Sequence, residues 1–201
     1  MKKEAKKTGR EGKKEGIKVM IEVSARHLHL SQEEIDRLFG KEYELKKLKE
    51  LSQLSDFAAA ETVTIENKGK KFENVRVIGP TRTRSYVEIS RTDARFLGME
   101  TLLKVHGDEQ CGVITVIGPK ARINMCIITK HRHLHISDKE AKELDLKEGQ
   151  LIKVRIHGER AVVFENVVVR INPKYRMAVH LDTDEGNAAG IYGIGEGELI
   201  I

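Results

Sequence analysis

The chain has 201 residues, enough for one large or two small domains, with 4% aromatic residues and no Trp, so stacking platforms are excluded as its main means of recognition. Its formal charge of +5 sits in the first 18 residues, which carry seven Lys, one Arg and three Glu; residues 19–201 balance at 28 basic against 28 acidic, and the body has no electrostatic reason to bind nucleic acid. Val, Ile and Leu alternating with charged residues favour a mainly β fold with short helices.

Taken in chain order, residues 1–18 form a Lys-, Glu- and Gly-rich tail without an apolar face. It is neither a signal-peptide core nor a membrane anchor, and it reads as a disordered, solvated arm. An apolar strand at Val19-Met20-Ile21 then leads into Arg26-His27-Leu28-His29-Leu30-Ser31 and a predicted helix over Gln32–Phe39, entered through a capping box, Ser31-x-x-Glu34. Strands follow at Glu61–Ile65 and Val75–Ile78, separated by the turn Asn67-Lys68-Gly69. After Gly79-Pro80 comes a stretch, Thr81–Glu88, whose alternation puts Arg82, Arg84, Tyr86 and Glu88 on one strand face, before a short helix at Thr92–Leu97. Cys111 and Cys126 lack metal or redox spacing and read as reduced thiols of a cytoplasmic protein. The plan then restarts: Ile127-Ile128, Arg132-His133-Leu134-His135-Ile136-Ser137, a capped helix at Asp138–Leu144, a strand at Leu151–Ile156, Val179-His180-Leu181 and a helix at Asp184–Ala189. Gly118-Pro119, His157-Gly158 and Asn172-Pro173 mark the remaining turns.

The restart is an internal repeat. The HxH segments match at a shift of 106, and Phe72-Glu73-Asn74-Val75 matches Phe164-Glu165-Asn166-Val167 at a shift of 92. The second shift pairs Glu88 with His180, Asp93 with Glu185 and Gly98 with Gly190. Two small β-barrel domains related by a pseudo-two-fold axis would satisfy this pattern.

In HxH on an extended chain both imidazoles leave the same face, so each pair can reach one metal centre or two adjacent ones. His27, His29 and Glu88 would face His133, His135 and His180 across the axis; five imidazoles and a carboxylate suit two divalent ions such as Zn²⁺, with coordination positions left open between the domains. The first copy alone also fits a cupin spacing, His27-x-His29-x3-Glu33-x6-Gly40, but Lys139 replaces Glu33 in the second copy, which removes that alternative. His106, His131 and His157 have no repeat partner and read as ordinary residues. Arg82 and Arg84 near such a centre would bind phosphate, since guanidinium offers paired planar donors to an oxyanion.

These residues, with VSARHLHLS (23–31), LSQLSDFAAAETVT (51–64), ENVRVIGP (73–80), VEISRTDARFLG (87–98), KHRHLHIS (130–137) and HLDTDEGNAAG (180–190), resemble the PduL-type phosphotransacylases, or phosphate propanoyltransferases, from about Val19 to Gly190. The resemblance implies two β-barrel domains that exchange their first strands, one from residues 19–25 plus 131–201 and the other from residues 26–130, with two zinc ions between them. Metal ligation then falls on His27, His29, Glu88, His133, His135 and His180, phosphate binding on Arg82, and coenzyme A contacts on Ser24, Arg76 and Asn187. The implied activity is reversible transfer of a propanoyl or acetyl group between coenzyme A and inorganic phosphate, by direct attack of phosphate held at the metals on the thioester, without an acyl-enzyme. Coenzyme A is thus a substrate, an acyl-phosphate-consuming kinase is the metabolic neighbour, and propanediol degradation is the family's setting. Some relatives carry an amphipathic peptide that sends them into bacterial microcompartments; this tail lacks that pattern, so a free cytoplasmic enzyme, as a homodimer, without nucleic-acid or membrane partners, is expected. A hydrolase using the same ligands and a nucleic-acid-binding protein relying on the basic tail are the alternatives.

Overall fold

The computed structural model describes residues 16–104 and 110–201. Its first half runs β1 (Ile17–Ser24), β2 (His27–His29), α1 (Gln32–Phe39), β3 (Lys47–Glu50), β4 (Phe57–Asn67), β5 (Lys70–Gly79), β6 (Tyr86–Glu88), α2 (Arg91–Phe96), β7 (Leu103–Lys104), β8 (Gly112–Ile117) and β9 (Arg122–Lys130). The second half runs β10 (His133–Ile136), α3 (Asp138–Glu143), β11 (Leu151–Ile156), β12 (Val162–Ile171), β13 (Ala178–Asp182), α4 (Thr183–Ala189) and β14 (Ile194–Ile200). Ile17 and Lys18 belong to β1 rather than to a tail; residues 1–15 lie outside the described residues.

Two closed six-stranded barrels form. One has the order β1-β13-β10-β12-β11-β14, closing β14 onto β1. The other runs β4-β5-β2-β6-β9-β8 and closes β8 onto β4, with β3 and β7 added outside the ring. The pairing repeats strand by strand: β2 is parallel to β5 and antiparallel to β6, as β10 is parallel to β12 and antiparallel to β13. The strand before each HxH segment lies in the opposite barrel. β1 pairs with β13 and β14, then runs into β2; β9 pairs with β6 and β8, then runs into β10. The chain therefore changes barrels at residues 25–26 and again at 131–132, and each histidine pair begins just past a crossing. Closing both sheets leaves few strand edges exposed.

Alternation along these strands divides core from site. Leu28, between His27 and His29, and Leu134, between His133 and His135, are each 0% exposed, so both histidine pairs leave the face opposite the barrel core. Ile21 and Ile127, repeat partners on the exchanged strands, are also fully buried. Each such side chain adds about 1.5–3 kcal/mol of hydrophobic stabilisation.

The second repeated motif has a local cause. Asn74 (φ 57°) and Asn166 (φ 55°) both adopt the left-handed conformation, which asparagine tolerates better than most residues. Phe72 and Phe164 lie under the guanidinium groups of Arg26 and Arg132, at 4.1 and 5.4 Å. The same arginines pair with an acid in the first turn of α2 or α4, Arg26 with Asp93 (2.8 Å) and Arg132 with Glu185 (2.7 Å). The plan shared by the two halves thus clamps each HxH strand to a helix start. Gly98 and Gly190, at φ 70° and 71°, end those helices in the left-handed region that favours glycine.

Three expectations are corrected. The capping box is complete at α3, through Ser137 and Glu140, but only half formed at α1: Ser31 Oγ accepts the Glu34 N–H, whereas the Ser31 N–H is donated to Ser85 Oγ, leaving Glu34 to pair with Arg37. Arg82 and Arg84 are not on a strand with Glu88. β5 ends at Gly79, Pro80 has no N–H to extend a ladder, and residues 81–85 turn before β6 starts at Tyr86. Arg84 is exposed. Cys111 and Cys126 are joined in a disulfide rather than free, because the antiparallel pairing of β8 and β9 brings positions 15 apart in sequence to a Cα separation of 5.6 Å.

Candidate metal centre

Each barrel presents one triad of metal-ligating side chains. His27 on β2 pairs across the strands with Glu88 on β6, and His29 completes a group whose donor atoms all lie within 4.8 Å of one another. His133 on β10 pairs with His180 on β13, and His135 completes the second group to the same tolerance. A single small cavity of about 30 Å³ is lined by His27 and Glu88 from one triad and His133 and His180 from the other, together with Ser24, Lys130 and His131.

The imidazoles are oriented for ligation by backbone carbonyls. A carbonyl only accepts, so the ring nitrogen facing it must carry the proton: His27 Nδ1 donates to Ala25 O (2.8 Å), His133 Nδ1 to His131 O (2.9 Å) and His29 Nδ1 to Ile78 O (3.2 Å). In all three the Nε2 lone pair is left for the cluster, the arrangement by which metal-binding histidines are held in one tautomer. His135 Nδ1 is buried without a hydrogen-bond partner. The donor sets, two imidazoles with a carboxylate and three imidazoles, are those of open divalent sites, so the residues present fit a metal at each triad.

Charge at the centre agrees. Burial first, and His27 second, lowers His29 to about 3; burial and His180 lower His135 to about 2, and the same two causes put His133 well below the usual imidazole range. Burial also lowers His180. Burial would raise the Glu88 carboxyl, but the Lys130 ammonium, 3.3 Å from Oε1, and the adjacent imidazoles reverse that and hold it at about 2. At neutral pH the four shifted imidazoles are neutral and Glu88 is ionised, which are the ligating forms. Glu88 Oε2 stands 3.4 Å from His27 Nε2, leaving Oε1 to Lys130. Tyr86 and Tyr175 pack on the histidines of the two halves, at 5.1 Å from His29 and 3.8 Å from His135. Burial raises the Tyr86 phenol far above its ordinary value.

Arg82 reaches this region from the turn before β6. Its backbone N–H is donated to Leu30 O (2.8 Å), its guanidinium to Asp56 Oδ1 (2.6 Å), and its charge depresses both His29 and His135. Ser24 lines the small cavity, Arg76 spends its Nη1 on the carbonyls of Ala59 and Ala60 (both 2.9 Å), and exposed Asn187 borders a larger hollow of about 1300 Å³ with Lys18, Arg160 and Tyr192. His157 is exposed and pairs with Glu198 at 3.0 Å; His106 lies outside the described residues.

Sequence reasoning missed several neighbours of the centre. Lys130 is the repeat counterpart of Ser24, so its departure from the repeat was the available signal. His131 lines the cavity, and Glu22 approaches His180 Nε2 at 3.5 Å. Gln53 and Asp56 fall in the quoted segment 51–64, where neither was singled out.

A pair of strand-exchanged barrels, each bearing a candidate metal-ligating triad, His₂Glu in one and His₃ in the other, defines a protein of duplicated architecture. The sequence signature of the phosphate propanoyltransferase family matches residues 20–192. Proteins named phosphate propanoyltransferase are similar along most of their length: one from Alkaliphilus metalliredigens is 42% identical, covering 96% of this chain and 93% of its own. One from Lachnoclostridium phytofermentans is 44% identical (89% and 85%), and one from Thermotoga maritima 41% (85% and 83%). The chain belongs to the phosphate propanoyltransferase family, a family of acyltransferases.

Proposed function

We propose that the protein transfers a short acyl group, propanoyl or acetyl, reversibly between coenzyme A and inorganic phosphate, at a two-metal centre held by His27, His29 and Glu88 and by His133, His135 and His180. The observation that carries this reading is the cavity lined by members of both triads, with two cations, Arg82 and Lys130, acting on His29 and His135, the remaining histidine of one triad and of the other. Membership of an acyltransferase family whose named members use phosphate supports the substrate pair.

Divalent ions bound at the triads would supply Lewis acidity for phosphate and for the thioester carbonyl. The chain's own residues do the rest. Nδ1 hydrogen bonds aim the imidazoles of His27, His29 and His133, and Lys130 keeps one oxygen of Glu88 from turning away. Arg82 binds phosphate with guanidinium donors beyond the one held by Asp56 and aims one phosphate oxygen at the acyl carbon. Negative charge developing on the carbonyl oxygen is met by the fixed positive field of Arg82 and Lys130, and coenzyme A leaves as its thiolate, whose low basicity requires no strong general acid. Direct transfer needs no protein nucleophile. Both barrels contribute to the centre, with residues 19–25 plus 131–201 forming one domain and 26–130 the other, and an acyl-phosphate kinase is the natural consumer of the product.

Thiol release from acetyl-CoA and propanoyl-CoA, with and without phosphate and before and after chelation, tests the reading. Release requiring both phosphate and metal is expected. Release independent of phosphate would assign the same ligands to a hydrolase and overturn it.

A further inference from the structure

The segment joining β3 to β4, residues 51–56, belongs by sequence to one barrel but grips the other. Ser52 Oγ donates to Glu22 Oε2 on β1 (2.7 Å). Gln53, 5% exposed, donates its amide to Arg176 O (3.2 Å), accepts the Arg176 N–H (3.2 Å) and stands 3.5 Å from His180 Nε2. The segment is also closed on itself, by Asp56 N–H to Gln53 O (3.0 Å) and Leu51 N–H to Asp56 O (3.2 Å). Asp56 is therefore fixed relative to both barrels, and it is Asp56 that accepts the Arg82 guanidinium, with Ser55 Oγ donating to the same carboxylate oxygen at 3.2 Å.

We propose that Asp56 is a positioning residue that holds Arg82 for the phosphate substrate, with residues 51–56 acting as a strap that references it to the second barrel. The inference rests on the reading of Arg82 as the phosphate-binding residue. An arginine side chain has many rotamers, and the Arg82 side chain is 34% exposed, so packing alone does not fix its head. One carboxylate oxygen at 2.6 Å takes one Nη2 hydrogen and leaves the remaining donors to an oxyanion. Asp56 touches no reacting atom in this scheme; its effect passes through the guanidinium.

The test is a double-mutant cycle on the full-length, metal-loaded protein: Asp56→Ala, Arg82→Ala and the double variant, with Asp56→Asn alongside. Turnover, KM for phosphate and for acyl-CoA, bound metal and melting temperature are measured for each. Asp56→Ala should lower kcat/KM for phosphate by on the order of a hundredfold, the scale of a misplaced binding group, with KM for acyl-CoA and metal content unchanged. The double variant should be no worse than Arg82→Ala, since a residue acting through Arg82 has nothing left to position. Asp56→Asn, which keeps an acceptor oxygen and the fold, should recover part of the loss. Losses that multiply in the double variant, or a lower KM for phosphate in Asp56→Ala, would overturn the proposal, the latter by showing Asp56 to be a competitor for Arg82. A fully active Arg82→Ala would instead fell the reading of Arg82 itself, and this inference with it.

Discussion

Acidifying the metal-free protein should destabilise it steeply below about pH 6.5, the ordinary value of an imidazole. Burial lowers the folded-state value of His29 to about 3 and of His135 to about 2, whereas the unfolded chain keeps both near 6.5. Above 6.5 neither state binds the proton, so the full stability is present; between 6.5 and the folded values only the unfolded state binds it, so stability falls as pH falls. At about pH 5 the gap is roughly 1.5 units, or about 2 kcal/mol for each of the two histidines at about 1.36 kcal/mol per unit. Together they remove about 4 kcal/mol from a total that is typically about 5–15 kcal/mol. His133 and His180 are lowered as well and act in the same direction, while Glu88, at about 2 against 4.5, adds its loss only at still lower pH. For a chain of this size the melting temperature should drop by about 8–16 °C between about pH 8 and pH 5. Scanning calorimetry on chelated and metal-loaded protein measures it, and loading should flatten the dependence because bound metal excludes the proton from the ligating nitrogens. An equal and small change in both forms would refute the argument that these imidazoles are buried, neutral and ready to ligate.

His133→Ala should lower bound metal and abolish phosphate-dependent thiol release, read by elemental analysis beside the thiol assay; unchanged stoichiometry would remove His133 from the ligand set. Arg82→Ala should retain metal but lose turnover by about 10²–10³-fold, the scale of deleting one donor to developing charge. Gly186→Ala should destabilise by about 1–3 kcal/mol in chemical denaturation, because the new Cβ would fall 2.7 Å from a methyl of Val23 and force α4 off β1. Ile127→Ala, at a fully buried position on an exchanged strand, should cost about 2–5 kcal/mol.

The histidine triads were legible because two local rules coincide. Period-two alternation puts His27 and His29 on one face with Leu28 on the other, and the same rule holds at His133, Leu134 and His135. Duplication then named Glu88 and His180 as the third members, and both face their histidines across one antiparallel pair. Arg82 was legible as a phosphate-binding residue type but not in its position. The strand alternation used for it fails at Pro80, where the chain turns and the guanidinium reaches the histidines from a bend. The cysteines failed for a related reason: spacing rules describe neighbours along the chain, and Cys111 meets Cys126 across a strand pair.

What the sequence determined by itself is therefore what strand alternation and the internal repeat decide: the strands, the outward face of each HxH and the two candidate donor sets. Tertiary structure alone decided the contacts that duplication does not encode. Lys130 reaches Glu88 because β9 crosses beside β6, and Gln53 reaches Arg176 and His180 because the segment 51–56 leans over the second barrel. Such contacts join residues far apart in the chain, and their partners follow from how closed sheets pack, which no local period records.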